Sequence, residues 1–317
     1  MAANSIDQGE AMTESTDFKD GPQTRCGYVA LVGRPNVGKS TLLNHLLQQK
    51  ISITSRKPQT TRHRIMGILT EADAQCVFVD TPGLHSQHRK ALNRVMNDTV
   101  ISTLRDVDNI LFVVERLTFG EADQMVLQHL LKCKVPVILV INKVDQIKDK
   151  QRLLPHIQEL TKQHEFAEVV PVSALNGHNL DRLKSLVKEL LPVGPFLYPA
   201  EQVTDRSSRF LAAELIREKV TRQLGDELPY EVTVEIERFK VEGGVTHIHG
   251  LILVDKSGQK KILVGRDGER LKSIGSSARE DMETAFGGKV MLNLWVKVKS
   301  GWADDERALQ SLGYVDH

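Results

Sequence analysis

The chain has few aromatic residues, few cysteines and almost no excess charge of either sign, and each shortage excludes a class of protein. Aromatic residues make up 5% of the 317 positions, so an extended aromatic platform for stacking nucleic-acid bases is not expected. Three widely spaced cysteines, Cys26, Cys76 and Cys133, indicate thiols in a reducing compartment rather than a disulfide framework or a metal site. The formal net charge is only +1, so any basic surface for a nucleic acid must be local.

Long apolar runs are missing as well. No stretch of the sequence approaches the roughly 18 consecutive apolar residues that a membrane-spanning helix needs. Residues 1–24 are polar and lack the apolar segment of a signal peptide, so we expect a disordered tail there. The remaining length is enough for about two domains.

A break with three prolines, LLPVGPFLYPAEQVTDRSS, separates two differently patterned halves of the chain. We predict a nucleotide-binding domain over residues 25–190, a linker over 191–204, a second domain over 205–300 and a C-terminal tail over 301–317.

The segment GRPNVGKST, residues 33–41, follows the apolar run YVALV and precedes leucines at helical spacing. Gly33, Gly38, Lys39 and Ser40 match the pattern G-x-x-x-x-G-K-[ST], which requires this strand-then-helix context. Glycines let backbone N–H groups approach a phosphate, and the helix start adds partial positive charge. Lys39 is predicted to reach the outer phosphates, and Ser40 to offer its hydroxyl to Mg²⁺. The motif indicates a nucleoside triphosphate without saying which one.

Apolar, strand-like runs alternate with helical patterns through the first half: YVALVG, IMGILT, CVFVD, ILFVVE, VPVILVIN and VVPVS. This alternation predicts a mainly parallel sheet covered on both faces, with ligands at the carboxyl ends of its strands. CVFVD ends there in DTPG, residues 80–83. Asp80 is predicted to hold Mg²⁺ directly or through water, and the Gly83 N–H to meet the terminal phosphate.

The run VILVIN ends in NKVD, residues 142–145, which is the most discriminating motif of the chain. Guanine presents a ring N–H and an exocyclic amine on one edge, and Asp145 is predicted to accept from both. Adenine lacks these donors, and a site built for such hydrogen bonds rejects the wrong ligand by about 10⁴- to 10⁵-fold. Asn142 and Lys143 are predicted to steady the base and the phosphate loop. VVPVSAL ends in three residues at which a backbone N–H after Ser173 is predicted to meet the guanine carbonyl: Ser173, Ala174 and Leu175.

The polar segment TSRKPQTTRHR, residues 54–64, has no helix or strand periodicity and is predicted to be a mobile loop. A threonine in such a loop can close over Mg²⁺ when the third phosphate is present and let go after hydrolysis. Thr60 and Thr61 are the candidates, and we favour Thr61. Arg62 and Arg64 are candidates for cations that stabilise the transition state, but we favour solvated or RNA-facing charges.

The second half begins with an amphipathic helix pattern, SSRFLAAELIREKVTRQL, followed by two strand patterns, YEVTVEIERF and VTHIHGLILV. The G-x-x-G of residues 265–268 then stands between two helical stretches, and GKVMLNLWVKVKSGW supplies a third strand. This order is that of the type II KH fold, whose glycine loop clamps about four nucleotides. A plain helix-turn-helix with a solvated charged face is the alternative, and Trp295 and Trp302 are predicted to pack. The predicted RNA-binding residues are Lys260, Lys261, Ile262, Gly265, Arg266, Asp267, Gly268, Arg270, Lys272 and Arg279.

The five nucleotide motifs and the KH pattern together resemble the Era family of bacterial ribosome-assembly GTPases. The segments that carry the resemblance are GRPNVGKST, SITSRKPQTTRHRI, DTPGLH, NKVD, GQKKILVGRDGERLKSIG and VKVKSGWADDERALQSLGY. The resemblance implies an α/β P-loop NTPase domain of the Ras-like class, with a mixed, mainly parallel sheet, and a smaller α+β type II KH domain. It implies a GTPase that binds 16S rRNA near its 3′ end and acts in maturation of the 30S ribosomal subunit. It also implies a monomer in the cytoplasm with peripheral association with the inner membrane.

The motifs and the resemblance together assign the ligand-binding residues. The GTP-binding residues are Gly33, Arg34, Pro35, Asn36, Val37, Gly38, Lys39, Ser40, Thr41, Asp80, Thr81, Pro82, Gly83, Asn142, Lys143, Asp145, Ser173, Ala174 and Leu175. The Mg²⁺ ligands are Ser40, Thr61 and Asp80, and the catalytic group is Asn36, Lys39, Thr61 and Gly83.

The chain departs from the Ras-like pattern after D-x-x-G. Leu84 stands where Ras-like enzymes often have a glutamine that orients the attacking water, so the water must be placed otherwise. In related GTPases an asparagine at the place of Asn36 helps bind K⁺, whose charge replaces that of an arginine. K⁺ is therefore a candidate cofactor beside GTP or GDP and Mg²⁺.

Two other functions fit parts of the sequence. A non-catalytic RNA chaperone that only senses GDP and GTP is compatible with Leu84. An ATP-using phosphotransferase is compatible with the phosphate loop alone, but NKVD argues against it. If the chain is a switch, ordering of the loops around Thr61 and Gly83 by GTP should shift the KH module, and RNA should then favour one nucleotide state by the same factor.

Overall fold

The computed structural model describes residues 24–57, 59–84, 90–224, 228 and 232–314. The predicted N-terminal tail lies outside these ranges except for its last residue. In the described part of the chain, no helix combines the length and the apolar character that crossing a bilayer requires.

The first half is built on a six-stranded sheet with strand order β2-β3-β1-β4-β5-β6. All neighbouring strands are parallel except β2 and β3, which are antiparallel. Strands β3, β4 and β5 are buried at every position, as expected for parallel strands that are covered on both faces. The predicted mixed, mainly parallel sheet is confirmed. Its strands are β1 (Arg25–Val32), β2 (Ile65–Thr70), β3 (Ala74–Asp80), β4 (Asn109–Glu115), β5 (Val137–Asn142) and β6 (Glu168–Pro171).

Five helices cover the two faces of this sheet: α1 (Lys39–Leu47), α2 (Ala91–Thr103), α3 (Glu121–Leu130), α4 (Leu153–Thr161) and α5 (Leu180–Leu190). Side chains alternate along a strand, so Val29 and Leu31 join one apolar cluster with α1 and α5, while Ala30 and Val32 join another with α2, α3 and α4. The two clusters hold the sheet rigid, and its carboxyl edge carries the nucleotide motifs.

The second half is a three-stranded sheet with helices packed on one face. Strand β7 is antiparallel to β8, and β8 is parallel to β9. The elements are α6 (Ser208–Leu224), β7 (Val232–Glu242), β8 (Val245–Val254), α7 (Ser257–Val264), α8 (Glu269–Phe286) and β9 (Lys289–Val298). This is the predicted helix-strand-strand-helix-helix-strand order of a type II KH fold.

Two segments predicted as linker and tail pack against the folded units. In the segment 191–204, Val193 bridges to Arg25 and Thr204 bridges to Gly67, so both ends of this connection lie on the first sheet. At the C-terminus, the described residues form α9 (Glu306–Ser311), and an apolar cluster joins this region to α2. A few well-placed apolar side chains cause this packing, although the overall composition of both segments is polar or proline-rich. The members of that cluster are Ala91, Leu92, Met96, Trp302, Ala303, Ala308, Leu309 and Tyr314.

Candidate nucleotide site and nucleic-acid interface

The predicted phosphate loop joins strand β1 to helix α1. Gly38 in this loop has φ 101°, a backbone conformation that residues with a Cβ rarely adopt. A Cβ at Gly38 would lie 2.4 Å from Asn142 Nδ2. That Nδ2 donates to Val37 O over 2.8 Å. Glycine at position 38 therefore lets Asn142 of the NKVD motif form a direct hydrogen bond with the phosphate loop.

Lys39 opens helix α1, and its side chain points back into the phosphate loop. Its Nζ donates to the carbonyl oxygens of Gly33 and Arg34 over 2.9 and 3.1 Å. Burial lowers the pKa of Lys39 to about 8, whereas the nearby Asp80 carboxylate favours the charged form. A phosphate beside this ammonium group would stabilise the charged form, so the position suits the predicted role.

The three predicted Mg²⁺ ligands converge. Ser40 Oγ donates to Asp80 Oδ2 over 2.6 Å and lies 2.7 Å from Thr61 Oγ1. Burial raises the pKa of Asp80, and Asp80 Oδ1 is buried without a hydrogen-bond partner among the residues that the structure describes. Two hydroxyls and a carboxylate oxygen in need of a partner are ligands that Mg²⁺ prefers, so these residues fit the ion. The other candidate, Thr60, turns away, and its Oγ1 donates to Lys57 O over 2.7 Å.

The DTPG segment lies against the phosphate loop. A Cβ at Gly83 would be 2.6 Å from Pro35 N, so only glycine allows this approach. Thr81 Oγ1 donates to Leu31 O over 2.8 Å and fixes the segment to strand β1. Leu84 is buried, 3% exposed, and offers no polar atom to an attacking water.

The NKVD residues and the segment after β6 form one hydrogen-bonded unit at the far end of the site. Asn142 Oδ1 accepts from Ala174 N over 2.9 Å, and Ser173 Oγ donates to Asp145 Oδ1 over 2.6 Å. The side chain of Leu175 is 69% exposed beside them and can cover one face of a flat base. The sequence separates these residues by about 30 positions, and the sheet brings them together.

An acidic residue that the sequence analysis missed supports both motifs. The Glu115 carboxylate lies 2.9 Å from Arg34 Nη2 and 3.3 Å from Lys143 Nζ. Lys143 Nζ also donates to Asn36 O over 2.7 Å, and Asp123 accepts from Arg34 Nε over 3.1 Å. The sequence could have pointed to Glu115 by its position, because it ends strand β4 at the carboxyl edge of the sheet, where ligands bind.

The loop of residues 54–64, which we predicted to be mobile with solvated or RNA-facing arginines, buries one of its two arginines. Arg62 is 4% exposed, and its Nη1 donates to Val232 O over 2.8 Å. Arg64 is half-buried, and its carbonyl oxygen accepts from Arg206 Nη2. The prediction of solvated or RNA-facing charges is wrong at Arg62 because the second domain covers this side chain, and periodicity carries no information about such a distant contact.

These features line a cavity of about 950 Å³, large enough for a nucleotide. Its wall includes phosphate-loop residues, residues 53–57 and 59–61, and the NKVD segment. Thr221 and Arg222 of helix α6 also line it, so the second half of the chain reaches the nucleotide site.

The G-x-x-G forms a tight turn between α7 and α8. Gly265, Asp267 and Gly268 have φ of 75°, 49° and 79°, values that glycine and aspartate tolerate best. A Cβ at Gly265 would lie 2.8 Å from Arg270 Cγ, whereas one at Gly268 would meet no atom within 4 Å in the described part of the chain. The turn is therefore open on the Gly268 side, directly before the N-terminus of α8, where free N–H groups attract phosphate.

Most of the predicted RNA-binding residues cluster around this turn. Ile262 is half-buried and packs against the apolar core of the KH fold. Arg279 is separate: it lies ten residues along α8 from Glu269, roughly 15 Å away at the rise of an α-helix. It forms an ion pair with Glu283 at 2.8 Å. The exposed basic residues near the turn are Lys260, Lys261, Arg266, Arg270 and Lys272.

The two tryptophans differ in environment. Trp302 is 1% exposed and stacks on Tyr314 at 6.0 Å, so its predicted packing role is confirmed. Trp295 is 37% exposed and contacts the His249 ring edge-to-face at 5.8 Å. Trp295 therefore packs against His249 but stays partly exposed, because its position in β9 points to the face of the sheet that the helices leave uncovered.

Comparisons with known proteins find the same two units. A model of the family described as 50S ribosome-binding GTPase matches residues 28–143, and a KH domain model matches residues 227–303. GTPase Era of Ectopseudomonas mendocina is 63% identical over 297 residues, which cover 94% of this chain and 99% of the relative. GTPase Era of Azotobacter vinelandii is 63% identical over 292 residues, covering 92% and 97%.

Two solved structures of Era superpose on most of the chain. Both are 40% identical and cover 92% of this chain and 100% of their own. An Aquifex aeolicus Era variant bound to GDP and AlF₄⁻ gives a TM-score of 0.88. Era in complex with MgGDPNP and nucleotides 1506–1542 of 16S ribosomal RNA gives a TM-score of 0.89.

Proposed function

Because this chain belongs to the Era family of GTPases, we propose that its nucleotide state controls how its KH domain holds 16S rRNA near the 3′ end, in assembly of the 30S subunit. It hydrolyses GTP to GDP and phosphate, as the family does. The observation that carries the control step is the shared cavity, which has walls from the phosphate loop and from helix α6.

The residues around the cavity have separate roles in this proposal. Asp145 reads the guanine edge, and Ser173 holds that carboxylate in place. Lys39 and the backbone N–H groups of the phosphate loop balance the charge of the phosphates. The Gly83 N–H meets the terminal phosphate.

Ser40, Thr61 and Asp80 hold Mg²⁺ in the GTP state. When bound, the ion neutralises charge on the transferring phosphoryl group. Thr61 is the member of the set that belongs to a loop, so its position distinguishes the GTP state from the GDP state.

K⁺ is proposed as the second cation, because Leu84 leaves the catalytic site without a polar group at the position of the usual glutamine. Asn36 Nδ2 donates to Arg56 O over 2.9 Å, so the asparagine and a loop carbonyl are neighbours at the phosphate loop. An amide oxygen and backbone carbonyls are the kind of ligands that suit a weakly hydrated monovalent ion.

Exchange of the monovalent salt tests this role. We expect GTP turnover to be at least about tenfold faster in K⁺ than in Na⁺, since one correctly placed charge lowers a phosphoryl-transfer barrier by at least this much. GDP affinity, measured in both salts, should stay the same and serves as the control. Equal turnover in the two salts would rule out the K⁺ role.

The RNA target follows from the relatives and from the KH turn. The family whose model matches residues 28–143 is described as 50S ribosome-binding, but the Era complex that superposes on 92% of this chain contains 16S rRNA. We therefore assign this chain to the small subunit. We also propose that it is a cytoplasmic monomer with peripheral contact with the inner membrane, as the family resemblance implies.

Crosslinking of the full-length chain to ribosomal RNA in both nucleotide states tests the target. We expect crosslinks from residues 260–272 to map near the 3′ end of 16S rRNA, and more of them in one nucleotide state than in the other. Crosslinks that map mainly to large-subunit RNA, or that do not depend on the nucleotide, would contradict the proposal.

A further inference from the structure

Helix α6 buries a charged face as well as an apolar one. Its apolar side packs into the KH core through Ala212, Leu215, Ile216, Val220 and Leu224. Glu214, Arg217 and Glu218 are also buried, with exposures of 5%, 1% and 0%. Their spacing of three and four residues places them on one helix face. Charged side chains are buried this deeply only when they have partners, and the partners here include the loop that carries Thr61.

Arg217 is 1% exposed, and it contacts the backbone next to the metal site. Its Nη2 donates to Thr60 O over 2.5 Å, and its Nε donates to Glu214 Oε1 over 2.7 Å. Thr60 immediately precedes Thr61, whose hydroxyl lies 2.7 Å from Ser40 Oγ. A guanidinium group from the RNA-binding half therefore holds the peptide unit that presents Thr61.

The same helix also fastens the beginning of the loop. Glu218 Oε1 accepts from Thr54 N over 2.9 Å, and Arg222 Nε donates to Thr54 O over 2.9 Å. Lys50 Nζ lies 2.5 Å from Glu218 and 2.7 Å from Asp281 of helix α8. Thr54 and Thr60 are thus both held by residues of the KH fold.

These contacts make the position of the loop that carries Thr61 depend on the seating of helix α6. The loop can present Thr61 over Ser40 with its present backbone only while α6 is seated against it. If α6 moved away, Arg217 and Glu218 would lose buried hydrogen bonds to backbone, and such bonds to charged groups are strong. The nucleotide site of the chain is therefore completed by a residue of the RNA-binding half.

We propose that Arg217 is a positioning residue for GTP hydrolysis: by holding the Thr60 carbonyl, it keeps Thr61 at the metal site, so that full hydrolysis requires the KH domain to be docked. Arg217 contacts neither nucleotide nor metal in this proposal and acts only through the loop. The inference rests on the proposed function for the identity of the reaction and of the metal site.

The test removes the Arg217 guanidinium without leaving the Glu214 carboxylate buried and unpaired. Arg217→Met alone would leave the Glu214 carboxylate buried and unpaired, which by itself destabilises the fold. The variant is therefore Glu214→Gln/Arg217→Met in the full chain. The matched control is Arg209→Met on the same helix, since the Arg209 guanidinium is exposed and lies 3.4 Å from Glu237 O, away from the loop.

We expect single-turnover hydrolysis by Glu214→Gln/Arg217→Met to fall by about 10- to 100-fold, within the usual range of coupling between sites. The Mg²⁺ concentration that gives half-maximal hydrolysis should rise, and the preference for a GTP analogue over GDP should fall. GDP affinity should change by less than about twofold, because Thr61 is released in the GDP state. If Arg217 had a purely structural role, the variant would instead lose affinity for GTP analogue and for GDP to the same extent.

Arg217→Lys provides the second variant. It keeps a positive charge beside Glu214 and one donor for Thr60 O, so it should fold and recover part of the rate. Hydrolysis at the wild-type rate by either folded variant would overturn the proposal. If the double variant does not fold, Arg217→Lys decides the matter, with a rate between about threefold and tenfold below wild type expected from its poorer geometry.

The inference and the proposed function fail in different ways. Suppose that the Arg217 variants hydrolyse GTP slowly but wild-type RNA affinity is the same in both nucleotide states. The positioning role of Arg217 is then supported, and the proposed control of RNA binding by the nucleotide is wrong. If wild-type RNA affinity depends on the nucleotide and the variants hydrolyse GTP at the wild-type rate, only the positioning role of Arg217 is wrong.

Discussion

Asp145→Asn is expected to lower GTP affinity by roughly 10⁴-fold, the scale on which a site built for hydrogen bonds rejects a ligand that cannot form them. The Asp145 carboxylate is held by Ser173 Oγ at 2.6 Å, so it cannot move to compensate for a change of ligand. An asparagine amide would point its NH₂ group at the guanine amine, and two donors would face each other. Xanthine has a carbonyl at that position, so the variant should bind xanthosine triphosphate in place of GTP.

Isothermal titration with GDP, GTP analogue and xanthosine nucleotides measures this exchange. Asp149→Asn is the matched control, because Asp149 is a nearby exposed residue whose side chain accepts from Gln151 N over 3.1 Å. The control should bind guanine nucleotides like wild type. If Asp145→Asn kept its preference for guanine, the base-reading role of this carboxylate would be wrong.

Arg266→Glu/Asp267→Glu is expected to weaken RNA binding by about 100-fold, since a carboxylate replaces the guanidinium at 266 and a longer acidic side chain stands at 267, where a phosphate backbone must approach. A Cβ at Gly268 would meet no atom within 4 Å among the described residues, so we expect a phosphate backbone to approach the turn on this side and to meet the new charge at 266 directly. The affinity that remains should also depend less steeply on salt, because fewer counterions are released on binding. GTP affinity should be unchanged, because the turn takes no part in the nucleotide cavity.

Fluorescence anisotropy with a short single-stranded RNA at several salt concentrations checks this expectation. Arg238→Glu makes the same change of charge on the exposed part of strand β7, where Arg238 lies 3.5 Å from Glu242. This control should keep most of the RNA affinity. An equal loss in both variants would mean that net charge, not the turn, determines binding.

The short motifs of the site could be predicted from the sequence because each of them requires a particular backbone conformation. Gly38 needs a positive φ, and Gly83 needs close approach to Pro35; both needs are met by glycine alone and appear in the spacing of the motif. The strands of the first sheet were readable because buried parallel strands are continuous apolar runs.

The parts that sequence reasoning missed are contacts between distant segments. Arg217 and Thr60 are 157 positions apart, and Arg62 and Val232 are 170 apart. Charged residues on an amphipathic helix are normally solvated, so nothing local in α6 shows that its charged face is buried. The C-terminal segment was missed for the same reason, since Trp302 and Tyr314 are buried by packing with α2 of the first half.

The central claim is that nucleotide and RNA binding are coupled in one chain, and a closed thermodynamic cycle tests it most directly. The affinity of wild-type protein for an RNA that copies nucleotides 1506–1542 of 16S rRNA is measured with GTP analogue bound and with GDP bound. The preference for GTP analogue over GDP is then measured with and without that RNA. We expect both ratios to change by the same factor, between about 5 and 150. Identical RNA affinities in the two nucleotide states would contradict the account.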